Sequence, residues 1–395
     1  MVTTSTSTRA GRYVRQPAGY RAFIPAPLPP DPQLEMSRLL MNLLSEADQQ
    51  VGRLDGVAQI LPDPNLFVGM YVRREAVLSS QIEGTQSTLD DILAFELGHG
   101  AKHHDDAGEV VNYVAAMNHG LARIRDDEFP LSLRLVREIH ARLLHDVRGG
   151  EKQPGEFRRS QNWIGGRSPA DAAFVPPPAA EAEDALSDLE RFWHDGLYPA
   201  LVQSALAHAQ FETIHPFLDG NGRVGRLLIT LLLMHRGVLR QPLIYLSLYF
   251  KRHRAQYYDR LQAVRIDGDW EGWLEFFLHA IIETSGEAVQ TAQEIVALRE
   301  RDRARIIRYG PASGTMLDLL FRQPLVNVTA AASHLGTSYV RANSLIGNFQ
   351  AAGILRETTG NARNRVFVYE EYLGLLREPE DLLPAEDDGR GAQAV

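Results

Sequence analysis

A mainly α-helical bundle with a small mixed module at its C-terminal end is the fold this sequence predicts. Apolar residues recur at helical spacing through 33–144 and again through 180–308. One turn-rich stretch, 149–178, breaks that rhythm. From 312 onward, three short helical patterns are followed by two short apolar runs around a Gly/Asn turn.

Taken in order, residues 1–10 are rich in Ser and Thr and have no apolar core, which predicts a disordered start rather than a secretory signal. Prolines between 19 and 32 predict an extended arm over the body. Helices are expected over 33–54, 67–81, 88–96, 109–125 and 131–144. Between the third and fourth, His103, His104, Asp105 and Asp106 offer metal-binding side chains, but their polar, glycine-flanked setting reads as a solvated loop. Helices resume from 180 to 279, and 281–308 reads as one long helix leading out of the core. Helices at 313–322, 328–335 and 339–352 then precede a β-hairpin made by 354–358 and 365–369. The last residues, from 378, are acidic and expected to be disordered.

Composition narrows the class. The 395 residues include no cysteine, which excludes disulfides and thiolate metal sites and suits a cytoplasmic protein. No membrane partner is expected, because the apolar run 227–234 is short and flanked by Arg226 and Arg236. A net charge of −9 argues against a broad nucleic-acid coat while leaving room for a local basic patch.

The chemistry concentrates in His215-Pro-Phe-Leu-Asp-Gly-Asn-Gly-Arg-Val-Gly-Arg226. A residue before proline is pushed out of the α region, so the helix over 201–214 should end near His215. The apolar run 224–239 then restarts as a helix. Gly220, Asn221 and Gly222 therefore lie at a helix N-terminus, where free N–H groups and the helix dipole favour an anion. Arg223 and Arg226 are three apart on one face and can both grip phosphate. Asp219 supplies a hard oxygen suited to Mg²⁺ held jointly with phosphates. His215 can accept a hydroxyl proton at neutral pH. His208, seven residues earlier on the same face, reads as a packed helix residue.

This segment resembles the signature of the Fic family, His-x-Phe-x-Asp/Glu-Gly-Asn-Gly-Arg-x-x-Arg, with every fixed position filled. The resemblance runs from about 20 to 376. Pro154-Gly-Glu-Phe-Arg158, Gln161 to Gly165 and Phe174-Val-Pro-Pro177 resemble the family's flap, a β-hairpin that aligns the target protein. That implies docking roles for Asn162, Trp163 and Ile164. Tyr257 to Leu261 and Asp269 to Trp273 resemble the family's later helices, with Tyr257 and Tyr258 on the adenine side. The fold implied is a helical bundle whose main β element is the flap, and the activity implied is transfer of AMP from ATP to a Tyr, Thr or Ser hydroxyl of a protein. His215 would be the base and Asp219 the Mg²⁺ ligand. Asn221 and the flanking glycine amides would cradle phosphates, Arg223 would steady the leaving pyrophosphate, and Arg226 would bind the γ-phosphate, with Phe217 anchoring the loop.

Ser79-Ser-Gln-Ile-Glu-Gly84 resembles the family's inhibitory motif. Ser79 and Glu83 share a helical face, Gly84 reads as the helix stop, and Ser87 reads as the next N-cap. Glu83 paired with Arg226 would occupy the γ-phosphate position. Two like charges at about 4 Å cost on the order of 4 kcal/mol at an effective dielectric of 20, roughly a thousandfold in productive ATP. The same glutamate could instead help remove AMP from a modified protein.

The C-terminal pattern resembles a winged helix-turn-helix. In a DNA reading, Tyr339, Arg341 and Asn343 approach bases while Arg363 and Arg365 approach phosphates; the alternative is a protein-docking or dimerisation module. Domains are expected at 1–32 (arm), 33–130 (helices with the inhibitory motif), 131–285 (catalytic core), 286–311 (connecting helix), 312–376 (winged helix) and 377–395 (disordered tail). Expected partners are ATP, a protein target, the chain itself through auto-modification, DNA, and a second copy in a homodimer. The competing functions are a DNA-binding regulator whose core senses nucleotide, and a phosphodiesterase that erases AMP.

Overall fold

A computed structural model describes residues 9–60, 65–99, 103–126, 128–361 and 363–378. It opens with an antiparallel hairpin, β1 (Gly11–Arg15) and β2 (Arg21–Pro25), where an arm was expected. Phe23 is buried against Tyr13 and Phe174, which gives the hairpin an apolar side to pack. The start is anchored as well: Arg9 makes a bidentate pair with Glu271 at 2.7 and 2.8 Å, and Ala10 is buried. The disorder expected before Arg9 falls on residues 1–8, outside those described.

The body is helical, as predicted. It comprises α1 (Arg38–Ile60), α2 (Asn65–Ile82), α3 (Leu89–Glu96), α4 (His104–Arg125) and α5 (Leu133–Leu143). After the turn-rich stretch come α6 (Ala179–Trp193), α7 (Ala200–Ile214), α8 (Asn221–His235), α9 (Ser247–Arg252), α10 (Arg254–Asp267) and α11 (Trp270–Ile306). Every residue of α7 from Leu201 to Ile214 is buried, so this helix is the bundle's centre, and α8 returns against it. The α3 cap falls one residue later than expected: Thr88, not Ser87, forms a capping box with Asp91. His104 already belongs to α4, five residues before the predicted start, so the His/Asp run is a helix N-terminus rather than a loop.

Two expectations need correction. The flap has no true hairpin strands; one antiparallel bridge, Ile164 to Phe174, closes it. Gly165 and Gly166 take left-handed conformations, prolines 176–178 have no N–H to give, and the Val175 carbonyl accepts instead from Phe23 N–H at 2.9 Å. The larger β elements lie at the two ends of the chain. The segment 286–311 is not a separate connecting helix either. Its residues 286–306 continue α11, which runs 37 residues along α1 with Ile295, Leu298 and Ile306 buried.

Beyond a 3₁₀ turn (Ile307–Tyr309) come α12 (Ala312–Arg322), β3 (Leu325–Asn327), α13 (Val328–His334), α14 (Tyr339–Ala351), β4 (Arg356–Glu357), β5 (Val366–Val368) and α15 (Glu370–Gly374). The predicted hairpin gains a third strand, in the order β3-β5-β4. Phe321 of α12 packs on Phe67 of α2, and Tyr369 donates to the buried Asp302 of α11 at 2.5 Å. The expected disordered tail is docked at its first two residues. Arg377 forks onto Asp90 at 2.6 and 2.9 Å, and the buried Glu378 bridges Arg74 of α2 and Arg252. The rest of that tail, 379–395, lies outside the described residues. Among the described residues, no helix is long and apolar enough to cross a membrane.

Candidate active site

The signature folds into a tight loop between α7 and α8. His215 caps α7 in a left-handed conformation, φ 49° and ψ 62°, a state a non-glycine residue adopts only when its surroundings impose it. Those surroundings are the flap base. Arg158 Nε and Asn162 Nδ2 both donate to the His215 carbonyl at 3.0 Å, and Arg158 N–H donates to Pro216 C=O at 2.9 Å. A cation on the last carbonyls of α7 also complements its dipole, although burial without a carboxylate partner lowers the pKa of Arg158 to about 10.

Asn221 is committed inside the loop. Its Oδ1 accepts from Phe217 N–H at 2.8 Å and its Nδ2 donates to Phe217 C=O at 2.9 Å. Its side chain therefore staples the loop shut, spending its oxygen and one N–H there, so the role expected for it passes mainly to its backbone N–H. Asn162 is corrected in the same way. It is mostly buried and also donates to Phe217 C=O at 2.9 Å, so its amide nitrogen braces the loop while its residue lines the cavity beside Trp163. Ile164 packs on the Phe23–Phe174 cluster, while Trp163 remains exposed beside Leu218, Lys152 and Gln161, which line a cavity of about 280 Å³.

At the start of α8, Gly220 is left-handed (φ 77°) and the first helical bond runs from Val224 N–H to Gly220 C=O. The amides of 221–223 therefore have no intrahelical acceptor and form an anion site. Asp219 stands at its rim with its side chain 39% exposed, accepting from its own loop's Gly220 N–H at 2.5 Å and lying 3.5 Å from Arg223 Nη2. A single accessible carboxylate beside free amides fits Mg²⁺ shared with phosphates. No group of three or more His, Cys, Asp or Glu among the described residues could hold a metal unaided.

The two arginines are both buried but differently held. Arg223 pairs with Glu109 of α4 at 2.7 Å, and Arg148 reaches the same carboxylate at 3.0 Å. Arg226 donates from Nε to Ser79 Oγ and from Nη2 to Ser79 C=O, both at 2.9 Å, and from Nη2 to Glu83 Oε1 at 2.7 Å. Glu83 follows the end of α2, and Gly84 (φ 99°) turns the chain away. A Cβ on Gly222 would stand 2.2 Å from Glu83 Oε1, so that glycine admits the carboxylate to the α8 N-terminus. Burial pushes the Glu83 pKa up, but Arg226 first and then Arg223 and His215 pull harder, and the group stays below its ordinary value.

His215 is kept neutral. Burial, then Arg265 and Arg158, lower its pKa to about 3, so the ring is unprotonated and keeps a free lone pair throughout the neutral range. One turn earlier, Glu212 is buried with Oε2 3.9 Å from His215 Nδ1, and burial raises its pKa to about 7. The packed role expected of His208 holds: Tyr257 OH and the Gly225 carbonyl satisfy its two nitrogens at 2.9 and 3.1 Å. That commits Tyr257, which lies among Phe250, Trp273 and Phe276 and is no free adenine contact. Tyr258 is 44% exposed and remains available.

Sequence reasoning missed His140, Glu109 and Glu212, which lie outside the signature's fixed positions, and gave Arg158 a place in the flap motif but no role at His215. The isolated acid and base on the buried stripes of α4 and α5 were the only signal for Glu109 and His140. In the C-terminal module, Tyr339 and Arg341 at the start of α14 and Arg363 between β4 and β5 are exposed. Arg365 instead donates to Asn343 Oδ1 at 2.7 Å, so those two hold each other rather than standing free for phosphate and base.

Residues 41–122 match the sequence model of the Fic/DOC family N-terminal region, and 130–233 match that of the Fic/DOC family itself. The chain belongs to the Fic/DOC family. It is 33% identical over 244 residues to a protein adenylyltransferase Fic from Aedes aegypti, covering 62% of this chain and 44% of that protein. A protein of the same name from Culex quinquefasciatus is 33% identical over 236 residues, covering 56% and 45%. The chain thus spans less than half the length of these curated Fic relatives. A crystal structure of a Fic family protein from Desulfovibrio desulfuricans superposes with a TM-score of 0.56 at 20% identity, over 85% of this chain and 97% of that one, and supports the Fic fold.

Proposed function

We propose that this Fic protein is a protein adenylyltransferase that moves AMP from ATP to a Tyr, Thr or Ser hydroxyl of a protein target and is held in check by Glu83. The observation that carries the activity is a neutral His215 fixed beside the open amides of α8, in a chain whose curated relatives are adenylyltransferases. His215 would take the target hydroxyl's proton as the oxygen attacks the α-phosphorus of ATP and pyrophosphate leaves. Transfer at phosphorus depends mainly on positioning and charge stabilisation, which the amides of 221–223 and Arg223 are placed to supply. Mg²⁺ at Asp219 would neutralise phosphate charge.

Inhibition follows from occupancy. Glu83 sits at the anion site and takes the Arg226 donor that a γ-phosphate would need. The C-terminal elements from α12 to α15 fit a winged helix over 312–376, with Tyr339, Arg341 and Arg363 as the face for DNA. The deciding experiment incubates wild-type, Glu83→Gly and Glu83→Gly/His215→Ala proteins with labelled ATP, Mg²⁺ and a cell lysate. AMP label, identified by mass, is expected with the Glu83→Gly protein and absent from the double variant. Label that persists without His215 would overturn the assigned base, and no label anywhere would favour a nucleotide sensor or an AMP-removing enzyme.

A further inference from the structure

His140 of α5 lies outside both the signature and the flap, yet its ring joins them. Nδ1 accepts from Gly155 N–H at 2.8 Å, and Nε2 lies 3.0 Å from the Asp219 carbonyl. A backbone N–H only donates and a carbonyl only accepts, so the ring is the neutral tautomer with its proton on Nε2. Its face stacks on Phe217, with centroids 3.6 Å apart and planes within 9°. A Cβ on Gly220 would lie 3.6 Å from Nε2, so the loop passes directly over the ring edge. One fully buried imidazole thus touches the flap base, the loop's anchor and the backbone of Asp219.

We propose that His140 is a positioning residue that holds Asp219 and the flap base in a fixed relation, so that Mg²⁺·ATP and the target hydroxyl meet in register. This rests on the transferase reading above. The peptide at Gly155 is gripped from both ends by α5, because Arg137 Nε donates to Gly155 C=O at 2.7 Å while His140 takes the N–H. Gly155 is left-handed (φ 82°), and a Cβ there would press to 3.1 Å from Ala141 Cβ and 3.2 Å from the Arg137 carbonyl. The chain then runs directly to Arg158 and Asn162, the residues that hold the His215 carbonyl. A shift at Gly155 therefore reaches the base through a few residues, and a shift at Asp219 reaches the metal ligand at once.

The two bonds of His140 can be separated by substitution. His140→Gln places an amide nitrogen near the Nε2 position and keeps the donor to Asp219. His140→Asn places an amide oxygen near the Nδ1 position and keeps the acceptor for Gly155. His140→Phe keeps the stacking and neither bond. In a Glu83→Gly background, Mg²⁺·ATP affinity is measured by calorimetry, and protection of the 155–164 amides by hydrogen exchange. We expect Asn and Phe to weaken Mg²⁺·ATP binding about 10-fold while Gln stays near the parent, the scale typical of groups that orient a metal ligand. Exchange at 155–164 should accelerate in Gln and Phe and stay near the parent in Asn. The crossed pattern cannot come from general destabilisation, which would lower both readouts together. Equal losses in Gln and Asn, or a Phe variant matching the parent in both readouts, would overturn the proposal. A parent that fails to bind Mg²⁺·ATP would instead sink the nucleotide reading, and the exchange arm would still decide the tie at Gly155.

Discussion

Arg223 and Arg226 sit one turn apart on α8, equally buried, yet the two ends of this site are built differently. Arg223 is paired with Glu109, a carboxylate as buried as itself, from the second turn of α4. Arg226 is paired with Glu83, whose side chain is 34% exposed and which lies past the last turn of α2. A pair buried on both sides is part of the fold. A buried arginine facing a half-accessible carboxylate at a helix end can exchange one anion for another. The comparison separates a permanent ion pair of the scaffold from an arginine whose partner can change.

Glu83→Gly should break the comparison most visibly. Auto-modification of the purified protein should rise by up to about a thousandfold, the scale of a like-charge conflict of on the order of 4 kcal/mol. Its melting temperature should fall less than when Glu109 is removed, because Arg226 keeps its two bonds to Ser79 and the vacated carboxylate position is partly open to solvent. An unchanged labelling rate would mean that Glu83 is a helix-end carboxylate and no brake.

Glu109→Ala should do the opposite. It leaves the Arg223 guanidinium buried without its partner, a loss of about 3–5 kcal/mol by analogy with broken buried pairs. A clear drop in melting temperature is expected, with labelling in the Glu83→Gly background falling rather than rising. Retained stability would show that Arg223 finds another partner, and the contrast between the two arginines would collapse.

The pH profile sharpens the point. With its pKa lowered to about 3, His215 should impose no titration between pH 5 and 8. Glu212, raised to about 7 by burial, does titrate there. Once ionised it is a carboxylate beside His215 Nδ1, which strengthens the base; because the Glu83 charge is one cause of the raised value, labelling by Glu83→Gly should climb at a pH below it, and Glu212→Gln should flatten the climb. The linkage to stability has the reverse sign. A folded pKa above the unfolded one favours the fold at low pH, and that contribution is lost as pH rises from about 4.5 to about 7. Glu212→Gln should therefore gain thermal stability at pH 8 and not at pH 4.5. A climb that survives the substitution would assign it to another group.

These contrasts also mark what the sequence could carry. The His215–Arg226 segment was legible because its residue types have one common use, and the proline and glycines mark its helix boundaries. Glu83 was legible only through the resemblance of Ser79 to Gly84 to an inhibitory motif, since spacing by itself gives an ordinary helix end that shares a face with Ser79. Partners that arrive from distant helices were not: Glu109 and His140 look like stray polar residues on apolar stripes until α4 and α5 pack against α8. Asn221, Asn162 and Tyr257 were misjudged for a related reason. Sequence identifies a group that can bind a ligand, but not whether the protein has already engaged it. The β1–β2 hairpin was lost to the same blindness, since its stability lies in Phe23 meeting Phe174 across 151 positions of chain.

The smallest effects carry the same distinction into the C-terminal module. Its residues 312–376 hold five arginines against four carboxylates, so any DNA contact must come from a few free groups rather than a strong field. Arg365 is engaged by Asn343 and lies 3.7 Å from Glu357, whereas Arg341 and Arg363 are exposed at the start of α14 and between the strands. If the module binds DNA, Arg341→Ala and Arg363→Ala should each lower the slope of log affinity against log salt by about 1, the loss of one phosphate contact. Arg365→Ala should leave the slope nearly unchanged and instead lower the melting temperature, because it releases Asn343 and exposes the face of Phe367. Equal slopes for all three variants would remove the assigned face. A slope change confined to Arg365 would mean that its bond to Asn343 opens on binding, making this the second arginine of the molecule whose partner is exchanged for a phosphate.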